Sequence, residues 1–251
     1  MKNFLAKFDL KRIVTGVIMA CVVLIVVLAN NQHIVAFLLF VALLVAFFEA
    51  KKLYNCFNKV SLVLYVASFV FGYLTSSPIY AGLFCLALCA GIYAYKGYEL
   101  KGLLPLIYPL IPILCLYQVY VTYGMFYLFW VIFVVCVCDS SAYFVGKAFG
   151  KTKFSPTSPN KTLEGVLGGV VLASFFGMIY GVFSESLLAS LILSFFMAIF
   201  AVFGDLFESL LKRLAGVKDS GDLFPGHGGV LDRIDASIFA CFAMMFLVPI
   251  L

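Results

Sequence analysis

The chain has 251 residues, 65% of them hydrophobic and 12% charged, well below the quarter of charged residues usual in a soluble domain. A mean hydropathy of +1.13 excludes an ordinary water-soluble fold, and the net charge of +5 has to be tested as a topology signal before it is read as affinity for nucleic acid. The eight cysteines lie mostly in or beside apolar runs, without a CxxC pair or His/Cys ligand spacing, so they read as packing residues rather than a disulfide or zinc framework.

Apolar runs of 15 to 20 residues recur along the chain, the length a helix needs to cross about 30 Å of hydrocarbon. They predict an all-α, polytopic membrane protein of nine segments: 13–29, 33–48, 60–75, 78–95, 103–121, 125–145, 163–183, 187–211 and 235–251. The first follows Lys2, Lys7, Lys11 and Arg12 and is not followed by a small-x-small cleavage site, so it reads as a retained anchor. No lipidation box is present.

With the N-terminus placed in the cytoplasm, alternate connections receive all seventeen basic residues. Those after the first are Lys51, Lys52 and Lys59, then Lys96 and Lys101, then Lys147, Lys151, Lys153 and Lys161, and finally Lys212, Arg213, Lys218 and Arg233. The opposite connections hold Asn30, His33, Ser76, Thr122, Ser184 and Glu185, and no Lys or Arg. Such asymmetry is what the positive-inside rule demands, so topology alone accounts for most of the positive charge, and no nucleic-acid partner is expected. A membrane location with the polar site facing the cytoplasm follows, in a bacterial cell at the inner membrane.

Residues 1–122 carry almost no ionisable groups within their five apolar segments, apart from Glu49 and Glu99 at the edges, and read as scaffold and lipid contact. Residues 123–251 carry a site, because acidic, basic, Gly and Ser residues crowd the cytoplasmic ends of the last four segments. No internal repeat supports an inverted-repeat transporter.

The strongest signal runs from Ser209 through Lys212, Arg213, Lys218, Asp219, Gly221, Asp222, Pro225, Gly226, His227, Gly228, Gly229, Asp232 and Arg233 to Asp235. A Gly-rich loop lets backbone N–H groups approach a phosphate closely. The flanking carboxylates suit a hard divalent ion and the cations suit phosphate oxygens, the combination a nucleoside triphosphate with Mg²⁺ requires. Asp205, Glu208, Ser209 and Lys212 follow i, i+3, i+4, i+7 spacing and so share one helix face, which would line a polar funnel or form an interhelical hydrogen-bond cluster. Asp232 and Asp235 sit one turn apart where the ninth helix begins, a favourable place for negative charge, and Asp235 there could serve merely as a cap. Asp139, Tyr143 and Lys147 form a third polar stripe. Thr162 with Glu164 marks a helix start, and Gly165, Gly168 and Gly169 would let that helix pack closely. His227 could bond a phosphate or hold the turn.

This signature resembles that of the phosphatidate cytidylyltransferase family at every specified position. The resemblance continues upstream through Asp139, Ala142, Tyr143, Phe144, Gly146, Phe149, Gly150 and Lys151, then Ser158, Pro159, Lys161, Thr162, Glu164, Gly165, Gly168 and Gly169. It departs where Lys147 stands for the usual Arg, which keeps charge but not bidentate phosphate geometry, where Asn160 stands for Lys, and where Leu163 stands for a common Trp. The resemblance implies condensation of CTP with phosphatidic acid to CDP-diacylglycerol and pyrophosphate. For that reaction Asp205, an acid within a membrane helix, and Asp232 are assigned as the leading ligands for Mg²⁺, with Asp235 and Asp139 as further candidates and a second cation such as K⁺ accommodated. Lys212, Arg213, Lys218, Arg233 and Lys161 would bind the triphosphate and lipid headgroup, with Ser158, Thr162, Asp219, His227, Gly228 and Gly229 beside the substrates. A homodimer is left open. The alternatives are another CTP-dependent lipid enzyme, either a cytidylyltransferase on a different lipid phosphate or a polyisoprenol kinase, and an ion-coupled transporter.

Overall fold

The computed structural model describes residues 10–224 and 228–251, with side chains from residue 14 onward. His227 therefore lies outside the described residues. Among the described residues there are nine α-helices: α1 Leu10–Ala29, α2 Gln32–Tyr54, α3 Lys59–Thr75, α4 Pro78–Lys96, α5 Ile111–Tyr123, α6 Met125–Phe149, α7 Leu163–Gly181, α8 Leu187–Leu214 and α9 Leu231–Leu247. The only bridges found there are isolated, Lys153 to Thr162 and Phe224 to Gly228. The described residues are all-helical in architecture, and among them six stretches are long and apolar enough to cross a membrane: Gln32–Tyr54, Pro78–Lys96, Leu100–Tyr123, Met125–Phe149, Leu163–Gly181 and Leu187–Leu214. The apolar stretches Val14–Ala29 and Lys59–Thr75 are shorter.

Helix starts follow local polar residues. Asn31, Asn58, Thr162 and Ser186 each accept a hydrogen bond from an amide one turn into the helix that follows, a cap that contributes about 1 kcal/mol. Thr162 thus starts α7 as expected. The fifth apolar run is interrupted: a 3-10 turn at Leu100–Leu103 and a wide turn at Leu106–Leu110 precede α5. Pro109 lacks a donor and forces extended backbone on Tyr108 (φ −138°, ψ 120°). Several helices also exceed their apolar runs at the polar end, among them α2 reaching Tyr54 rather than 48, α6 reaching Phe149, α8 reaching Leu214, and α9 beginning at Leu231 rather than 235.

Close packing of α6, α7 and α8 follows from one stripe. Gly165, Gly169, Ala173, Gly177 and Gly181 recur every four residues along α7 and all are buried. A Cβ on Gly165 would come within 2.7 Å of Ala142 O, one on Gly169 within 2.8 Å of Cys138 O, and one on Gly177 within 2.5 Å of Ser194 Oγ. Without side chains in the way the backbones approach and gain dispersion contacts, the main cohesive force between helices in lipid. Trp130 on α6, fully buried, donates its indole N–H to Ser194 Oγ on α8 at 3.1 Å.

Polar contacts gather the connections at two ends of the bundle. At one end Cys56 Sγ donates to Lys101 O, Lys161 pairs with Asp205, and Glu49 accepts the amides of Val230 and Leu231. At the other, His33 lies 2.6 Å from Tyr73 OH, Gln32 donates to Tyr117 OH, and Tyr127 OH donates to Glu185. The connections joined at the first end carry the lysines and arginines; those at the second carry none.

Candidate active site

A cavity of about 500 Å³ opens at the basic end. Its wall brings together Asp139, Tyr143 and Lys147 from α6, Ser158, Asn160, Lys161 and Thr162 from the following connection, Asp205 from α8, and Asp232, Arg233 and Asp235 from α9. Eight of the residues assigned from the sequence to the metal or the substrates therefore share one chamber: Asp139, Ser158, Lys161, Thr162, Asp205, Asp232, Arg233 and Asp235. Asp139 lies well inside α6 rather than at its end, because the helix continues through the amphipathic stretch to Phe149.

The connection between α6 and α7 is folded so that Lys161 faces inward. Phe154 N donates to Lys161 O and Leu163 N donates to Thr152 O, both at 2.9 Å. Glu164, in the first turn of α7, accepts from the amides of Lys151 and Thr152 at 3.1 and 3.2 Å and holds the strap against the helix start. Lys161 Nζ forms an ion pair with Asp205, and both side chains remain partly exposed to the cavity. Asp139 makes no hydrogen bond or ion pair among the described residues, so its carboxylate oxygens face the cavity free.

Asp232 is bonded on both oxygens. Its Oδ2 accepts from Ser220 N at 2.9 Å, Ser220 Oγ at 2.8 Å and Gly229 N at 2.8 Å, while Oδ1 accepts from Lys212 Nζ at 2.6 Å. Charge-assisted bonds of this kind are the strong ones. Gly228 has φ +80°, and a Cβ there would come within 2.5 Å of Asp232 Oδ2, which is why glycine is required at that corner. Ser220, Gly228 and Gly229 thus close around the Asp232 carboxylate.

The α8 face does not line the cavity as a whole. Asp205 does, but Glu208 is fully buried beneath it, its carboxylate 3.4 Å from Lys212 Nζ and without a hydrogen bond. α9 packs over that face and covers it, and an acid so placed is costly unless a cation stands close. Lys212 is likewise turned to Asp232 and Glu208 rather than to open space. Arg213, one residue and so about 100° of rotation further round, is exposed, as are Lys218 and Asp219. None of these three lines the cavity, nor do Gly228 and Gly229.

Glu49 is the residue the sequence reading passed over. It sits near the end of α2, 5% exposed. Its Oε1 accepts from Val230 N at 2.9 Å, and its Oε2 from Leu231 N at 2.8 Å and Ser220 Oγ at 3.1 Å. The available signal was a lone acid among apolar residues, just before Lys51 and Lys52, which also fits an ordinary helix edge.

Cations and carboxylates interleaved in one chamber can hold an anionic phosphate and a hard metal ion side by side. Among the described residues no three His, Cys, Asp or Glu side chains converge as a ready-made metal cage.

Membrane-length apolar helices closing around a charged chamber at one end define an α-helical membrane protein with a polar site for charged ligands. The chain belongs to the cytidylyltransferase family, whose model matches residues 10–251. It is 42% identical over 253 residues to the phosphatidate cytidylyltransferase of Helicobacter pylori strain J99, covering 97% of this chain and 93% of that one. The enzyme of that name from Helicobacter pylori strain 26695 is 41% identical over the same shares. The phosphatidate cytidylyltransferase of Bacillus subtilis strain 168 is 45% identical over 116 residues, 45% of this chain and 43% of its own.

Proposed function

We propose that this chain condenses CTP with phosphatidic acid to form CDP-diacylglycerol and pyrophosphate. The observation that carries the reading is the chamber in which Asp139, Asp205, Asp232 and Asp235 face Lys161 and Arg233, in a chain similar along nearly its whole length to enzymes named for that reaction. An oxygen of the lipid phosphate attacks the α-phosphorus of CTP. The bond from that phosphorus to the α,β-bridging oxygen breaks, and pyrophosphate leaves with the electron pair. The lipid phosphate is already anionic, so no Ser or Cys nucleophile is needed; the protein has to align two polyanions and neutralise their repulsion.

Lys161 and Arg233 bind phosphate oxygens, and Lys161 exchanges its Asp205 partner for substrate when the chamber fills. Lys212 holds Asp232 in place. Arg213, Lys218 and Asp219 act on the approach to the site from solvent, with His227, Gly228 and Gly229 acting on the nucleotide and Ser158 and Thr162 on the chamber wall.

The donor set fits Mg²⁺, which is usually held by one or two carboxylates, phosphate oxygens and water rather than by a protein cage. Asp205 and Asp232 would hold it, with the unbonded oxygens of Asp139 and the carboxylate of Asp235, on the same chamber wall, to assist or to take a second cation such as K⁺. Bound there, Mg²⁺ would withdraw charge from the phosphates.

In the membrane, the reading is nine crossings with the N-terminus and chamber on the cytoplasmic side of a bacterial inner membrane, supported by the confinement of basic residues to alternate connections. Residues 1–122 serve as scaffold and 123–251 carry the chemistry. The test is purified protein given CTP, Mg²⁺ and defined lipid phosphates. Pyrophosphate release that depends on phosphatidic acid supports the reading. Release of CDP instead would indicate γ-phosphate transfer and overturn it.

A further inference from the structure

We infer that Glu49 is a positioning residue that sets the signature loop and the first turn of α9 for CTP, an inference that rests on the nucleotidyltransferase reading above. The first amides of any helix lack partners within it. Val230, at the cap position of α9, has no side-chain acceptor and makes no cap of its own. The acceptor comes instead from α2: one Glu49 oxygen takes Val230 N and the other takes Leu231 N. Negative charge there also complements the helix dipole.

The same carboxylate reaches the other end of the loop. Ser220 Oγ stands between Glu49 Oε2 at 3.1 Å and Asp232 Oδ2 at 2.8 Å, so the two buried acids share one hydroxyl. A Cβ on Gly221 would come within 2.5 Å of Glu49 Oε1, and one on Gly229 would collide with the same atom. Two glycines of the loop are therefore closed down on Glu49, and the residues directly after its amide partners are Asp232 and Arg233, which line the chamber. A helix of the lipid-facing half thus fixes where the loop and these two side chains stand.

The experiment uses the full chain in lipid nanodiscs. Glu49→Gln keeps the volume but turns an NH₂ toward an amide N–H; Glu49→Asp keeps the charge but is one methylene short; Glu99→Gln, an exposed acid of the same half, is the control. Pyrophosphate release is measured against CTP and against phosphatidic acid, and hydrogen exchange is followed at Gly229, Val230 and Leu231. Losing a charge-assisted bond predicts about a tenfold or larger rise in the KM for CTP in Glu49→Gln. The KM for phosphatidic acid should rise less than that for CTP, Glu49→Asp should recover part of the loss, and the three amides should exchange about tenfold faster. Faster exchange with an unaltered KM for CTP would make Glu49 a structural staple only and overturn the inference, as would wild-type exchange and KM together. Failure of the wild-type chain to release pyrophosphate would defeat the nucleotidyltransferase reading and the CTP role with it.

Discussion

The carboxylates of the chamber differ sharply in how they are occupied. Asp232 accepts four hydrogen bonds, Asp205 pairs with Lys161, and Asp139 makes none among the described residues. Asp205→Asn is expected to lower kcat by about 100-fold or more, the scale of losing a charge-stabilising group, and turnover near that of the wild type would remove Asp205 from the chemistry. Lys212→Met, which leaves Asp232 without its cation and Glu208 buried without compensation, is expected to cost about 10- to 100-fold in activity. It should also lower the thermal midpoint, because unpairing a buried charge is destabilising. Much of this site was legible in the sequence, since the spacing of Asp205, Asp232 and Asp235 against apolar helices marks polar faces that need a common chamber. What spacing does not carry is the partner: Lys161 to Asp205 and Glu49 to Leu231 are tertiary pairs set by helix packing. Spacing also fails to tell a cavity face from a covered one, as Glu208 shows.

Among the elements, α7 is the helix whose sequence most directly dictates its neighbours. Its small residues at every fourth position form one smooth strip, and α6 and α8 settle onto it with backbone carbonyls of Cys138 and Ala142 in near contact. Gly169→Val would push a side chain into Cys138 O and Ala142, and is expected to destabilise the protein by about 1–3 kcal/mol, read as a lower melting temperature in detergent. Since Asp139 and Lys161 approach the chamber from the two sides of this contact, activity should fall further than the folded fraction does. The glycine spacing was readable in advance. The interrupted start of the fifth run was not, because hydropathy is blind to the prolines that break the helix at Tyr108. Helix ends were also underestimated for α2, α6, α8 and α9, where polar residues extend an element that apolarity alone would stop.

For the molecule as a whole, charge asymmetry makes a prediction that the helices themselves do not. Nine crossings with a cytoplasmic N-terminus require alkaline phosphatase fused after Leu251 to be active and a fluorescent protein fused there to be dark; the reverse result would refute the count or the orientation. Apolar run length captured the element order because a helix that crosses hydrocarbon needs about 20 apolar residues, and six of the described stretches meet that length. The division of labour between the two halves is less clean than composition suggests, since one acid of the first half is built into the loop of the second. Glu49 and its two amide partners are separated by 181 and 182 residues. During synthesis that side chain is made long before the amides that donate to it, and the bundle must wait, with an unanswered charge, for the ribosome to deliver them. The site therefore closes only once Val230 and Leu231 have been made, and a chain released before them leaves the Glu49 carboxylate without its amides.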